Sequence, residues 1–234
     1  MFLPKLREEV LEANLELVRR GLVLYTFGNS SGISREDSLL VIKPSGVPYE
    51  TMKPEDLVVT DLHGKIIEGH LRPSSDLATH IVLYKAFPEI GGVSHTHSEY
   101  ATAWAQARKA IPCLGTTHAD YFRGAIPVTD IISDSDIAGA YEENTGHAIA
   151  RLFKNLDPGE IPGVLVANHA PFTWGVTPTE ASQNAVILET VAKLAYFAMQ
   201  IDSEAAPAPG ALVDKHFLRK HGRAVSYGQP RDKK

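Results

Sequence analysis

The stretch GGVSHTHSEYATAWAQA, residues 91–107, changes its period in the middle. Val93 to His97 alternates as a strand does, so His95 and His97 project to the same side. Ser98 then opens a helical run through Ala107, with a hydroxyl suited to a helix N-terminus. Two imidazoles at i and i+2 can meet one metal ion. They can equally be two hydrogen-bonded core histidines.

Working outward toward the N-terminus, RPSSDLATHIVLYKAFP predicts a helix. Ser74 or Ser75 caps it, Leu77, Ile81 and Tyr84 form its buried stripe, and Pro88 bounds it. Leu57 to Asp61 and Lys65 to Glu68 read as a hairpin around His63-Gly64, and Leu39 to Lys43 as a strand closed by Pro44-Ser45-Gly46. Leu22 to Phe27 reads as another strand and Gly28 to Gly32 as a turn. Leu6, Val10, Ala13, Leu17 and Val18 lie on one stripe of a first helix that Gly21 stops.

Toward the C-terminus, Ser135 to Phe153 reads as one helix and Val164 to Ala167 as a buried strand ending at Asn168-His169. Thr177-Pro178-Thr179-Glu180 has a cap, a proline at the first helical position and a glutamate three after the cap. The helix it opens is expected to reach about Gln200. SEAAPAPGA is linker-like, followed by a short helix, LVDKHFLRKHG, and a basic tail, RAVSYGQPRDKK. Strands and helices mix throughout, which predicts an α/β layer fold. No boundary for a second domain is visible, so 1–234 reads as one domain with a C-terminal tail from about 211.

Composition narrows the function. The 234 residues carry 23 Lys+Arg against 28 Asp+Glu, a net charge of -5, which argues against a nucleic-acid partner. The 44% hydrophobic and 22% charged residues are ordinary globular usage. A single cysteine, Cys113, permits no intramolecular disulfide and suits a reducing compartment. Glu8, Glu9 and Glu12 interrupt any signal-peptide core, and no stretch is apolar enough for a membrane helix. The expectation is a cytoplasmic protein with no membrane partner.

Chemistry then gathers in three places. His169 also ends an apolar strand and Asp76 opens a helix, so both can join His95 and His97 where strand ends meet. Three imidazoles and a carboxylate suit zinc, with manganese or cobalt as substitutes. Asp76 has a second reading, a first-turn carboxylate favoured by the helix dipole. Gly28-Asn29, Ser45-Gly46 and Ser74-Ser75 are small, donor-rich turns that can hold a phosphate, with Lys43 adding charge. Each alone is an ordinary turn. In Thr116-Thr117-His118-Ala119-Asp120-Tyr121 the alternation suggests a strand, with Asp120 a metal-ligand partner, an acid/base or a turn aspartate. Cys113 reads as a packed thiol. No G-x-G-x-x-G follows a strand, and no H-E-x-x-H is present.

GNSSGI, VIKPSGV, RPSSDLATH, GGVSHTHSEYAT, GTTHADYF, NHAPFTWG and DKHFLRKHG occur in this order from Leu6 to Gln229. Together they resemble the class II aldolase family, and within it the ribulose-phosphate 4-epimerases. The resemblance implies a three-layer α/β/α fold around a mostly antiparallel sheet, and a homotetramer with sites between subunits. It implies one zinc per subunit on Asp76, His95, His97 and His169. Substrate contacts fall on Gly28, Asn29, Ser45, Gly46, Ser74 and Ser75. The acid/base pair falls on Asp120 and on Tyr227, the tyrosine from a neighbouring chain. Three positions depart from the family's pattern: Phe27 stands for a tryptophan, Ala170 for a glycine and Arg123 for an aromatic residue. Ala170 is expected to restrict the turn after His169.

The implied reaction interconverts L-ribulose 5-phosphate and D-xylulose 5-phosphate, a step in pentose catabolism. Carbon 4 is not adjacent to the carbonyl, so simple deprotonation cannot invert it. Cleaving the bond between carbons 3 and 4, turning the aldehyde fragment and rejoining it can. The two epimeric hydroxyls point in opposite directions, which calls for two acid/bases. The nearest alternative is a class II sugar-phosphate aldolase, which typically carries a glutamate where Asp76 stands. Non-catalytic relatives lack the metal histidines.

Overall fold

The computed structural model describes residues 1–222. Its centre is one seven-stranded sheet, β1 (Asn29–Ser34), β2 (Leu39–Ile42), β3 (Val58–Asp61), β4 (Ile66–Glu68), β5 (Gly92–His95), β6 (Gly163–Leu165) and β7 (Pro171–Gly175). The spatial order is β4-β3-β2-β1-β5-β7-β6, and every neighbouring pair is antiparallel. The helices are α1 (Pro4–Arg19), α2 (Leu77–Ala86), α3 (Glu99–Gln106), α4 (Thr116–Ala119), α5 (Asp134–Ala138), α6 (Tyr141–Leu152), α7 (Pro178–Ile201) and α8 (Gly210–His221).

Strand alternation assigns the two faces. Leu40, Ile42 and Val58 pack with Leu77, Ile81 and Leu83 of α2, which α6 backs. Their neighbours Val41, Leu57 and Val59 pack with Val10 of α1. Burial on both faces makes the three layers expected. Gly32, Gly92 and Gly175 stand side by side across β1, β5 and β7. A Cβ on Gly92 would come within 2.5 Å of Pro178, and one on Gly175 within 2.7 Å of Glu180. This lane of hydrogens lets the start of α7 lie directly on the sheet. Thr177 caps that helix by accepting from the Glu180 amide.

Several local expectations change. Leu22 to Phe27 is not a strand, because Tyr25 has φ 52 and its side chain, with Leu24 and Phe27, is exposed. The strand is the polar segment after it. Asn29, Ser30 and Ser31 are buried, and their side chains bond Asp76, Ser94, His80 and Tyr84. Thr116 to Asp120 forms the short α4 and its end, not a strand. The predicted 135–153 helix breaks at Gly139-Ala140 into α5 and α6. Asp76, rather than Ser74 or Ser75, occupies the cap position of α2. Among the described residues no helix is long and apolar enough to cross a membrane.

Candidate metal centre

The sheet's own register builds the site. Asn29, His95 and Phe172 are direct partners across β1, β5 and β7. His95 is the last residue of β5, and His97 lies two residues beyond, outside the strand. The turn between β6 and β7 carries His169, whose backbone N–H donates to the Val166 carbonyl at 3.0 Å. The left-handed residue of that turn is Asn168, with φ 61, and Ala170 takes no positive φ. The alanine therefore adds no strain there.

Three imidazoles converge. Ligand nitrogens of His95, His97 and His169 all lie within 4.8 Å of one another. His95 Nδ1–H donates to the Pro171 carbonyl at 2.9 Å, so its Nε2 lone pair faces inward, 3.2 Å from His97 Nε2. Two nitrogens bound at ~2.0–2.1 Å to a tetrahedral ion stand about 3.3 Å apart, so this spacing fits one. His169 Nδ1 is buried without a hydrogen-bond partner. Burial and the neighbouring imidazoles push the His169 ring down to about 3, and burial and His95 lower His97. Neutral imidazole is the form that ligates metal. The residues therefore fit a divalent ion bound by nitrogen.

Asp76 borders the triad without joining that convergence. Its Oδ2 accepts from Asn29 Nδ2 at 2.7 Å. Burial works to raise its carboxyl, but His95, His80, the Asn29 bond and His169 outweigh it and hold the pKa below the usual value.

The phosphate-friendly turns come to the same place. Ser45 N donates to the Arg72 carbonyl and Ser74 N to the Lys43 carbonyl, each at 2.9 Å. With the Pro44–Pro73 bridge, these bonds lay the Ser45-Gly46 turn against Ser74-Ser75. A cavity of about 460 Å³ is lined by Gly28, Asn29, Ser45, Gly46, Ser74, Ser75 and Asp76 together with the three histidines. Lys43 lines it too; burial lowers its ammonium to about 8, and the Nζ lies 4.6 Å from the Tyr49 ring centre. Phe27, at the mouth, has its ring centre 6.2 Å from that of His97.

Tyr141 and Glu142 also line this cavity. Glu142 reads from sequence as a solvated helix face, but in the structure it is half-buried beside this cavity.

Asp120 is elsewhere. It is not among the residues lining the cavity. It sits where α4 meets α8, accepting from His216 Nδ1 at 3.0 Å and from Nε and Nη2 of Arg219 at 2.9–3.1 Å. Lys220 Nζ is 3.6 Å away. Burial alone would raise its pKa, but Arg219, His216 and Lys220 together lower it. Asp120 therefore does not line the triad's cavity in its own chain. Tyr227 lies outside the described residues. Arg123, the third departure, binds Glu160 and Asp214 and ties the end of α4 to α8, away from the triad.

An antiparallel three-layer fold with an imidazole triad beside donor-rich turns defines a class II aldolase-type protein. Residues 8–196 match the model of the Class II Aldolase and Adducin N-terminal domain, and the chain belongs to that family. It is 52% identical over 227 residues to L-ribulose-5-phosphate 4-epimerase UlaF of Salmonella paratyphi C (strain RKS4594), covering 97% of this chain and 100% of the relative. The same enzyme from Salmonella paratyphi B (strain ATCC BAA-1250 / SPB7) matches equally. Among solved structures, an L-fuculose 1-phosphate aldolase superposes with a TM-score of 0.77 at 25% identity, covering 91% of this chain and 94% of the other. YgbL from Klebsiella pneumoniae has a TM-score of 0.71 at 27% identity, covering 90% of this chain and 97% of the other.

Proposed function

We propose that this chain is a metal-dependent epimerase interconverting L-ribulose 5-phosphate and D-xylulose 5-phosphate by carbon–carbon cleavage and re-formation. The observation that carries the reading is the convergence of His95, His97 and His169 on one wall of a cavity that also holds the anion-friendly turns. The 52% identity over 97% of the chain to the Salmonella epimerases supports the same substrate pair.

His95, His97 and His169 would hold zinc, with Asp76 as the fourth protein ligand and manganese or cobalt as substitutes. Such an ion supplies positive charge for the oxygens on carbons 2 and 3. Ser45, Gly46, Ser74 and Ser75, with Gly28 and Asn29, hold the phosphate through hydroxyl, amide and backbone donors. They retain glycolaldehyde phosphate while its aldehyde turns. Lys43 adds charge beside them. One acid/base takes the carbon-4 hydroxyl proton on one face, a second gives its own proton to the carbon-4 oxygen on the other, and exchange with solvent resets both.

We assign those two roles to Asp120 and Tyr227. Asp120 stands off the cavity of its own chain, which supports delivery to a neighbouring copy's triad. The resemblance implies the same trans role for Tyr227, which we adopt. Exposed Leu194, Tyr196, Phe197 and Ile201 on the second half of α7 offer an apolar surface for such a neighbour. A cyclic homotetramer in the cytoplasm is the assembly proposed.

The test is to incubate purified, zinc-loaded protein with L-ribulose 5-phosphate and follow D-xylulose 5-phosphate. Slow condensation of dihydroxyacetone with glycolaldehyde phosphate should accompany it. Release of free aldehyde and ketone without epimer would instead make the chain a sugar-phosphate aldolase, the alternative reading.

A further inference from the structure

A line of buried polar side chains runs under the metal centre from α2 to β1. Tyr84 Oη is 2.8 Å from Ser31 Oγ, which is 2.6 Å from His80 Nδ1. Tyr84, Ser31 and His80 are each 0% exposed. His80 Nε2, the far end of the line, has no hydrogen-bond partner. It is not isolated from the site. Its ring meets Phe172 edge-on at 6.1 Å, and Phe172 stacks on His95 at 4.1 Å. The backbone N–H of His80 donates to the Asp76 carbonyl at 3.0 Å, so the two residues are one helical turn apart.

One direction of donation along the line gives Nε2 a role: the Tyr84 hydroxyl hydrogen goes to Ser31. Ser31 then donates its own hydrogen to His80 Nδ1. A neutral imidazole carries one N–H. With Nδ1 accepting, that hydrogen is on Nε2. The unpartnered atom is thus a fully buried donor. Folds rarely keep such a group unless another state supplies its acceptor. Asp76 offers one. Its Oδ2 is engaged by Asn29 and Ser74, while its Oδ1 receives no hydrogen bond among the described residues.

We propose that His80 is a positioning residue for the metal centre. Its Nε2–H donates to the Asp76 carboxylate when that carboxylate turns to a bound divalent ion, and the Tyr84–Ser31 line fixes the tautomer that makes the donation possible. Partners of this kind orient a ligand. The inference rests on the metal-centre reading above.

The experiment starts from wild-type protein stripped with chelator and titrated with zinc. If it binds no ion, the metal-centre reading fails and this inference with it. If it binds one per chain, His80 is tested alone. His80→Phe keeps a ring without the N–H and should bind zinc about 10–100-fold more weakly, while His80→Gln, which restores a donor, stays within about threefold of wild type. Long-range proton–nitrogen spectra of wild type should show His80 as the Nε2–H tautomer, with that proton moving downfield on zinc addition. A merely structural histidine would alter melting but not that response. An Nδ1–H tautomer, a resonance indifferent to zinc, or unchanged zinc affinity in His80→Phe would overturn the proposal. If His80→Phe does not fold, the wild-type spectra and Ser31→Ala decide. The latter should populate both tautomers and weaken zinc about tenfold.

Discussion

The triad cavity and the Asp120 cluster are opposite kinds of polar site. Around the triad, Asn29 Oδ1, His80 Nε2 and His169 Nδ1 are buried with no partner. Around Asp120 every carboxylate oxygen is engaged, with His216, Arg219 and Lys220 all on one acid. The first region holds unmet hydrogen-bonding capacity. The second is a finished ion cluster that locks α8 onto α4. Two further unmet hydroxyls, Thr60 and Thr102, do not line the cavity, so it is the clustering of three such atoms about the triad that marks this place. If Asp120 acts at the triad as proposed, another copy brings it.

The largest expected effect tests the first half of that contrast. His97→Asn should lose zinc and lower kcat by about 10³-fold or more, since a metal supplies several kcal/mol of charge stabilisation at tenfold per ~1.4 kcal/mol. Metal content by atomic absorption and kcat are measured together. Full zinc occupancy in His97→Asn would dissolve the triad as a site.

The second half is tested by mixing dead variants. His97→Asn and Asp120→Asn are dissociated together and reassembled. If Asp120 acts in trans, a ring of mixed chains has about a quarter of its sites intact, with the triad from the Asp120→Asn chain and the aspartate from its neighbour. Activity should return toward that fraction. If Asp120 serves its own chain, no site is complete and the mixture stays dead. Asp120→Asn mixed with Tyr227→Phe should stay inactive if one neighbour brings both groups.

A smaller effect probes the donor-rich side of the cavity. Asn29→Ala or Ser75→Ala should raise KM about tenfold, one hydrogen bond to a charged group being worth ~1.5–3 kcal/mol. The kcat loss should be smaller for Ser75→Ala than for Asn29→Ala, because Asn29 also holds Asp76. Equal turnover of unphosphorylated L-ribulose by wild type would show that these turns do not select phosphate.

The contrast also explains what the sequence made legible. The triad histidines were readable because H-x-H in a strand end and a histidine in a turn have few bland explanations together. The sheet was readable wherever strands are apolar, as in Leu39–Ile42 and Val58–Asp61. It was misread at NSSGIS. Small polar residues imitate a turn, and only the structure reveals that Ser30 and Ser31 are buried against Ser94, His80 and Tyr84. His80 and Glu142 were missed for a related reason. Each is polar on a helix, and its burial, full for His80 and partial for Glu142, depends on contacts far away in sequence. The spatial separation of Asp120 from the triad has no sequence signature at all, since GTTHADYF lies near GGVSHTHSEY along the chain.

The smallest expected effect concerns the Asp120 cluster as structure. Burial would raise its carboxyl, but Arg219, His216 and Lys220 outweigh burial and hold it below the ordinary value of 3.8. A depressed folded pKa means the unfolded chain takes up the proton first as pH falls. The stabilisation is therefore complete above about pH 4 to 5 and is lost as pH drops through the folded value. Asp120→Asn should lower the melting temperature at pH 7 by about 2–4 °C, the shift that ~1 kcal/mol produces in a chain of this size. The gap between variant and wild type should narrow toward pH 3, because a protonated aspartate and the asparagine amide that replaces it are both uncharged. Differential scanning at pH 7, 5 and 3 measures it. A gap unchanged at pH 3 would mean that hydrogen-bond geometry, not charge, locks α8 onto α4. The negative charge of Asp120 would then have no structural task, and its retention would be left to the reaction in a neighbouring copy.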